Sequence, residues 1–175
     1  METLTLQYLN EDDRAYGLAG MALTVAALNA SELISQISID TPDAMVSFSH
    51  EYYFCGSPSI SPKATWSNMI RNFQITSAMA VANLFSRSMV RLGTPVPQEL
   101  LDELHSTIIE EGCDSCALEE DEAEGIYTKV LLYNRRIFGN PRLHPSISDF
   151  ARTISRRRTH SGREVEDELR MLQLL

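Results

Sequence analysis

The longest stretch of this sequence that favours one continuous helix runs from residue 62 to residue 92. Neither glycine nor proline occurs between Pro62 and Gly93, and a serine followed by Pro62 is a typical helix start. A helix over 62–92 would be about 46 Å long at 1.5 Å per residue. We therefore expect one long central helix around which the other segments assemble.

Apolar side chains fall on two sides of this predicted helix. Each side carries its own stripe at helical spacing, with Trp66, Ile70, Phe73, Ala80 and Leu84 in the first and Ile75, Met79, Ala82, Phe85 and Met89 in the second. A helix that is apolar on more than one side is either central in its domain or packs a core on one side and a partner on the other. The pattern therefore favours self-association or a protein partner.

Residues 15–28 form a segment that is apolar at all positions but one. As a helix this segment would cover about 21 Å, which is too short for a hydrocarbon core of about 30 Å. The acidic residues before it are also unlike the basic start of a secretory leader. We expect a buried helix over 11–29, which residues 31–37 continue. Gly17 and Gly20 would let a second helix approach closely.

Two short segments alternate apolar and polar residues, which is the period of a strand. Residues 3–9 place Leu4, Leu6 and Tyr8 on one side. Residues 46–54 add β-branched and aromatic side chains, which favour strands. We expect a small two-stranded β element, and because two strands alone are marginal in water, it should lie on helices or pair across a dimer.

The remaining helices each have one apolar face, and they are predicted over about 97–111 and 119–138, from Pro145 onward, and over about 163–174. Short connections between them favour antiparallel neighbours in a bundle. No internal repeat and no long linker divides the chain, so we expect residues 1–175 to form a single helical domain. The predicted fold is mainly α, a bundle of about five to six helices with the long central helix over 62–92, together with the β element.

Charge and cysteine content limit the classes of partner. The formal net charge is −9 over 175 residues, so the chain as a whole should repel nucleic acid and anionic lipid at long range. Three cysteines, Cys55, Cys113 and Cys116, are odd in number and too few for a secreted disulfide framework. We expect a reduced cytoplasmic protein without membrane contact, with nucleic acid as the less favoured partner.

Cys113 and Cys116 have the C-x2-C spacing of a zinc or redox motif. A structural zinc needs four ligands, and a second such pair is missing. The preceding helix is predicted to stop at Gly112, whereas a redox pair opens a helix. The eight acids of 110–124 would also raise a thiol pKa, and those of 119–122 suit the first turn of the next helix. We predict no metal and no cofactor, and keep a metal or thiol site at these two cysteines as an alternative.

A second candidate site is a basic segment without any acid, which contains Arg152, Arg156, Arg157, Arg158 and Arg163. Arginines at this density can bind phosphates or nucleic acid. No aromatic residue lies between them to stack on bases. We favour the alternative that they pair with the acids of 110–124, in the same chain or in a second copy.

No local catalytic signature is present, because Gly-rich phosphate loops, G-x-S-x-G elbows and H-E-x-x-H are all missing from the sequence. We identify no catalytic residue. The sequence favours a non-enzymatic helical protein that acts through protein–protein interaction or self-association, with a dimer as the preferred oligomer. Phosphate or nucleic-acid binding through Arg152–Arg163 and a metal or thiol site at Cys113 and Cys116 are the alternatives.

Overall fold

The computed structural model describes residues 4–41, 43–53 and 61–175. The predicted mainly α fold with a small β element is confirmed. Within the described residues there are seven α-helices: α1 (Glu11–Ala27), α2 (His50–Tyr53), α3 (Pro62–Phe85), α4 (Gln98–Cys116), α5 (Glu120–Phe138), α6 (His144–Arg157) and α7 (Gly162–Met171). The strands of the same ranges are β1 (Ile34–Ser38), β2 (Val46–Phe48) and β3 (Thr159–Ser161). None of the described helices is both long and apolar enough to cross a membrane.

The long helix predicted over 62–92 is present. Ser61 caps it by accepting the N–H of Ala64 at 3.3 Å, as the serine–proline start indicated. After Phe85 the helix continues without a break into a π-helical segment, Ser86–Arg91. Gly93, at a φ of 65°, follows the end of the run. The sequence predicted the continuity of this element but not its wider last turns.

Helix α1 is buried on most sides, as predicted, and packs closely against α3 and the π-helical segment. A Cβ added at Gly20 would lie 2.5 Å from the Cβ of Ser86 and 2.7 Å from the carbonyl oxygen of Ala82. A Cβ at Gly17 would lie 2.6 Å from Nδ2 of Asn83. These two glycines therefore permit the close helix approach that the sequence suggested.

Asn134 of α5 joins three helices in the core. Its Nδ2 donates to the carbonyl of Ala78 in α3 at 3.2 Å, and its Oδ1 accepts from the hydroxyl of Thr24 in α1 at 3.1 Å. The side chain of Asn134 is fully buried. Since a buried amide is costly unless its groups are paired, this residue favours one register among α1, α3 and α5.

Helix α4 runs antiparallel to both α3 and α5. Gly112, near the end of α4, lies against Phe73 in the first half of α3. The hydroxyl of Tyr127 in α5 donates to the carbonyl of Leu101, near the start of α4, at 3.4 Å. Helix α6 packs against α1, and its buried residues include Ile147 and Phe150.

The sheet is three-stranded and antiparallel, in the order β2-β1-β3. The two strands predicted over 3–9 and 46–54 differ from it. Residues 4–9 form no strand, and residue 3 lies outside the described residues; the carbonyls of Leu6 and Gln7 accept hydrogen bonds from Arg87 instead of from a strand. In the segment 46–54 only Val46–Phe48 is a strand, because His50–Tyr53 turns into a helix. Residue 54 lies outside the described residues.

The prediction that 31–37 extends the first helix is also wrong. Helix α1 ends at Ala27, and Asn29 adopts a φ of 55°, which turns the chain out of the helix. Ile34 and Ile37 are both buried although they lie on strand β1, because the pairing with β2 is irregular between Ile34 and Gln36. A bulged strand can thus reproduce a three-residue apolar spacing that resembles a helix.

Helix α4 does not stop at Gly112 but continues to Cys116, where Ala117 takes a φ of 50°. Gly112 is buried, and a Cβ there would lie 2.9 Å from Cζ of Phe73 and 3.1 Å from the Cβ of Ala123. This glycine therefore serves close packing between α4 and its two neighbours rather than helix termination.

Candidate functional site

The Arg-rich segment lies at the end of α6, in β3 and at the start of α7. Arg158 donates from Nε to Asp40 at 2.9 Å and from Nη1 to Glu11, also at 2.9 Å, and these hydrogen bonds raise its pKa. Arg157 pairs with Glu164. Hydrogen bonds from Ser161 and then from Arg157 lower the pKa of Glu164 to about 2. Both arginines therefore have carboxylate partners within the chain.

The other three arginines of this segment are more exposed. Arg152 pairs with Asp149, and Arg163 is 4.0 Å from Asp167. Within the described residues Arg156 has no carboxylate within 4.0 Å. The expected pairing of this segment thus occurs within the chain, but with other acids than those of 110–124.

Arg152 and Arg156 border an open cleft of about 660 Å³ between α6 and α7. Three carboxylates border the same cleft, from Asp12, Asp149 and Glu168. An anion entering it would meet these negative charges beside the two guanidinium groups. The geometry of the cleft adds no support to the phosphate-binding alternative, which stays a prediction.

Cys113 and Cys116 lie in the last turn of α4, not in a loop after it. Both are free thiols, Cys113 half-buried and Cys116 buried. Burial, and then the negative charge of Glu111, raise the pKa of the Cys116 thiol, so it is protonated and weakly nucleophilic at neutral pH. In the described part of the chain no three His, Cys, Asp or Glu side chains converge as a metal site would require. Cys55 lies outside the described residues.

A buried ion pair that the sequence analysis did not identify joins α1 to the π-helical segment. Arg87 donates from Nε to Oδ1 of Asp13 at 2.9 Å and from Nη2 to Oδ2 at 2.6 Å. The two side chains are 1% and 0% exposed. The partners are 74 residues apart in the sequence, so no local sequence pattern predicts the pair.

The remaining groups of this pair are also occupied. Arg87 donates to the carbonyl of Gln7 at 2.8 Å and lies 4.9 Å from the ring centre of Tyr8, while Asp13 accepts the N–H of Leu9 at 3.0 Å. Burial raises the pKa of Asp13, but the hydrogen bonds from Arg87 and Leu9 lower it by a larger amount. The net effect is a pKa below the usual value of an aspartate. The pair fixes the N-terminal segment to the bundle and offers little capacity for a ligand.

An apolar groove of about 270 Å³ runs between the antiparallel helices α3 and α4. Phe73 and Ala80 contribute from α3, and Leu104 and Ile108 contribute from α4. Helix α4 adds Thr107 and Glu111 to its border, and α3 adds Thr76 and Ser77. The groove is therefore largely hydrophobic, with polar groups along its border, and one of its hydroxyl groups is buried.

That hydroxyl belongs to Ser77, which is only 3% exposed. Its Oγ has no hydrogen-bond partner among the described residues. Elsewhere in α3 a hydroxyl bonds back to the preceding turn, and Thr76 does so with the carbonyls of Asn72 and Phe73. An unpaired buried hydroxyl costs about 1–3 kcal/mol, so Ser77 has a hydrogen bond available for a group that enters the groove.

The apolar stripe of α3 continues beyond the groove. Ile70 and Trp66 lie three and seven residues before Phe73, which puts them on the same helix face. Trp66 is 43% exposed, and Ile70 is half-buried. The first stripe predicted from the sequence is thus exposed at its N-terminal end, whereas the second is largely buried inside the bundle.

The negative charge of the molecule is concentrated in the part of the sequence that contains α4, and Glu111 of this part borders the groove. Residues 92–128 contain eleven of the 24 carboxylates of the chain and none of its 15 Lys and Arg residues. Within the described residues, nine carboxylates outside 92–128 have an Arg nitrogen within 4.0 Å. Among the described residues, the one carboxylate of 92–128 that lies within 4.0 Å of a Lys, Arg or His nitrogen is that of Glu124, at 2.7 Å from Nε2 of His105.

Helix α4 presents part of this charge at the border of the groove. Glu103, Glu110 and Asp114 lie four residues before, three after and seven after Thr107, so they share its helix face. All three are exposed. The groove therefore has an acidic edge along α4, whereas α3 contains no acidic residue.

Fold and site together define a helical bundle with an apolar groove that is acidic along one edge. No protein-family model, no curated protein and no solved structure matches this chain. Sequence reasoning identified the first apolar stripe of α3 and the acids of 110–124 separately. It did not place them together, because that requires knowing that α3 and α4 are antiparallel neighbours.

Proposed function

We propose that this protein is a non-catalytic binding module that docks a positively charged protein partner on the α3–α4 face. The observation that carries the proposal is the coincidence, on one face, of the apolar groove with its Ser77 hydroxyl and an acidic surface, both without partners of their own in the described part of the chain, Lys and Arg in the case of the acids. Exposed apolar area bordered by charge is typical of protein-binding sites.

The charge distribution favours a basic partner. Eleven carboxylates within 92–128 repel one another, and a partner that presents Lys or Arg would relieve that repulsion. Complementary potentials also accelerate the encounter of two proteins and suppress binding of the wrong partner. The acidic edge would therefore select the partner, and the apolar groove would supply contact area.

The same charge argues against a second copy of this chain as the occupant of this face. In a two-fold symmetric dimer the same patch lies on both sides of the interface, so two acidic edges would meet. The negative charge also disfavours binding of nucleic acid to this face, because phosphate groups would be repelled. A dimer of the kind expected from the sequence would have to use another face.

The proposal is tested with a labelled helix-breaking peptide of lysine, serine and glycine, whose binding is followed by fluorescence anisotropy at low and at high salt. We expect salt-sensitive binding that weakens when Glu103→Gln, Glu110→Gln and Asp114→Asn are combined. Exposed ion pairs contribute about 0.2–1 kcal/mol each, so the triple variant should lose about threefold to a hundredfold in affinity.

The matched control combines Glu32→Gln, Asp43→Asn and Asp167→Asn, three exposed acids outside the α3–α4 face. It removes the same charge from the molecule. Equal losses in the two triple variants would mean that only net charge matters and would contradict a localised site. Absence of binding at low salt would contradict the proposal altogether.

A further inference from the structure

We propose that the groove between α3 and α4 binds the apolar face of an amphipathic helix with a basic flank, which the partner supplies. This inference rests on the proposed function, because it specifies what the positively charged partner places on that face. The helix would lie along the groove with its basic flank against α4.

The apolar stripe of α3 that continues the groove, and the two walls of the groove, suit a helix. From Trp66 to Ala80 the stripe of α3 covers about 21 Å at 1.5 Å per residue, which is the length of about four helical turns. An amphipathic helix presents apolar side chains at i, i+3 or i+4, and i+7 along such a surface. Both walls are helices whose backbone groups bond internally, so no strand edge is offered on which an extended peptide could form a sheet.

The charge on the two walls differs and predicts an orientation. Helix α4 borders the groove with Glu111 and carries the exposed Glu103, Glu110 and Asp114 on the helix face of Thr107, whereas α3 carries no acidic residue and borders the groove with Thr76 and Ala80. The bound helix should therefore have Lys or Arg on the flank that faces α4 and small or uncharged residues on the flank that faces α3.

The Ser77 hydroxyl predicts one polar position within the apolar face of the ligand. Ser77 lines the groove, and its oxygen is buried and has no partner among the described residues. A Gln, Asn, Ser or Thr side chain above it would satisfy the hydroxyl, and such a buried hydrogen bond also sets the register of a bound helix.

The test compares the lysine–serine–glycine peptide with a helical peptide of the same length and charge that carries a row of leucines. Full burial of one leucine side chain is worth about tenfold or more in affinity, so we expect the leucine peptide to bind at least tenfold more tightly. Ala80→Leu would fill the groove and remove that gain. Ala64→Leu makes the same change on the opposite side of α3 and should leave the gain intact.

Thr107→Lys provides a second variant, because Thr107 is exposed and tolerates substitution without disturbing the core. It places a positive charge at the edge of the groove and should weaken binding of the leucine peptide more than binding of the flexible peptide. Circular dichroism verifies that each variant keeps its helix content. If Ala80→Leu and Thr107→Lys both bind the leucine peptide as the unmodified protein does, the groove is not its site.

The two proposals fail in different ways. Equal affinity for the flexible and the leucine peptides would overturn the groove inference while leaving a basic partner in place. No binding of either peptide would remove the proposed function itself. Equally tight binding of a leucine peptide with glutamates in place of lysines would contradict the charge selection on α4.

Ser77→Ala tests the polar position separately. It should lower affinity severalfold for a peptide with glutamine at the central position of its leucine row, and leave affinity for the all-leucine peptide unchanged. An equal effect on both peptides, or no effect on either, would overturn the hydrogen-bonding role of Ser77.

Discussion

Asp13→Asn is the substitution whose effect on stability the structure predicts most sharply. It replaces a carboxylate by an amide of the same shape at a side chain that is 0% exposed. Arg87, which is 1% exposed, would keep its charge and lose the negative charge opposite it, and an NH2 group would replace one of the two oxygens that it contacts at 2.9 and 2.6 Å. Removal of one partner of a buried ion pair costs about 3–5 kcal/mol, a large share of the roughly 5–15 kcal/mol by which a native protein is stable.

The neighbouring Asp12→Asn is the matched control. Asp12 also pairs with an arginine, Arg91, at 2.7 Å, but its side chain is 62% exposed. An exposed ion pair contributes about 0–1 kcal/mol. Both substitutions thus remove one carboxylate from the first turn of α1, so they share the effect on the helix dipole and differ in burial.

Urea unfolding followed by circular dichroism at neutral pH measures both free energies of unfolding. For a chain of this length the loss in Asp13→Asn corresponds to a melting temperature about 6–20 °C lower. The folded-state pKa of Asp13 is lower than that of an unfolded aspartate, so its stabilisation is fully present at a pH well above the unfolded-state pKa and is lost as the pH falls through the folded-state pKa. Equal losses for Asp13→Asn and Asp12→Asn would refute the importance of burial.

Two further outcomes follow from individual positions. Gly20→Ala should destabilise the protein by about 1–3 kcal/mol through overpacking, because the new Cβ would lie 2.5 Å from that of Ser86. Gly125→Ala should instead stabilise α5 by about 1 kcal/mol, because its new Cβ meets nothing within 4 Å. Urea unfolding compares the two variants, and an unchanged free energy of unfolding in Gly20→Ala would contradict the close helix approach. Burial, and then the charge of Arg157, lower the pKa of His160 below 6.5, so the unfolded chain binds that proton more strongly and stability should fall as the pH drops from about 7 towards the folded-state pKa. His160→Leu should flatten this part of the stability profile, and an unaltered profile would mean that other groups cause it.

The fold was readable from the sequence where local signals and tertiary structure agree. Ser61, Pro62 and Gly93 act at the ends of the long helix as their local chemistry predicts. Gly17 and Gly20 indicated a close helix contact, and the helix that approaches them is the long one. In each case the residue's own conformational preference is also what the packing requires.

Elsewhere tertiary contacts override the local pattern. Leu6 and Gln7 alternate as in a strand, yet their carbonyls bind a guanidinium group from a distant helix. Ile34 and Ile37 are spaced as in a helix but lie on a bulged strand. Gly112 resembles a helix end and is instead a contact point inside α4.

The sequence predicted the components of the candidate site but not their proximity, because proximity depends on tertiary packing. The absence of Lys and Arg from 92–128 is evident from the sequence itself, and so is the apolar stripe of α3. Their meeting in one groove depends on the antiparallel packing of α3 and α4, and the unpaired state of Ser77 depends on the side chains around it. Neither the position of the groove nor the unpaired hydroxyl can be predicted from the spacing of residues in the sequence.

The most direct test of the α3–α4 face is a two-dimensional amide NMR titration of the protein with the lysine–leucine helical peptide. We predict that the largest shift changes fall on residues 73–80 of α3 and 104–111 of α4. Amides around Arg152 and Arg156, in the cleft between α6 and α7, should stay unchanged. Shifts that concentrate in that cleft, or that spread evenly over the surface, would contradict the assignment of the binding face.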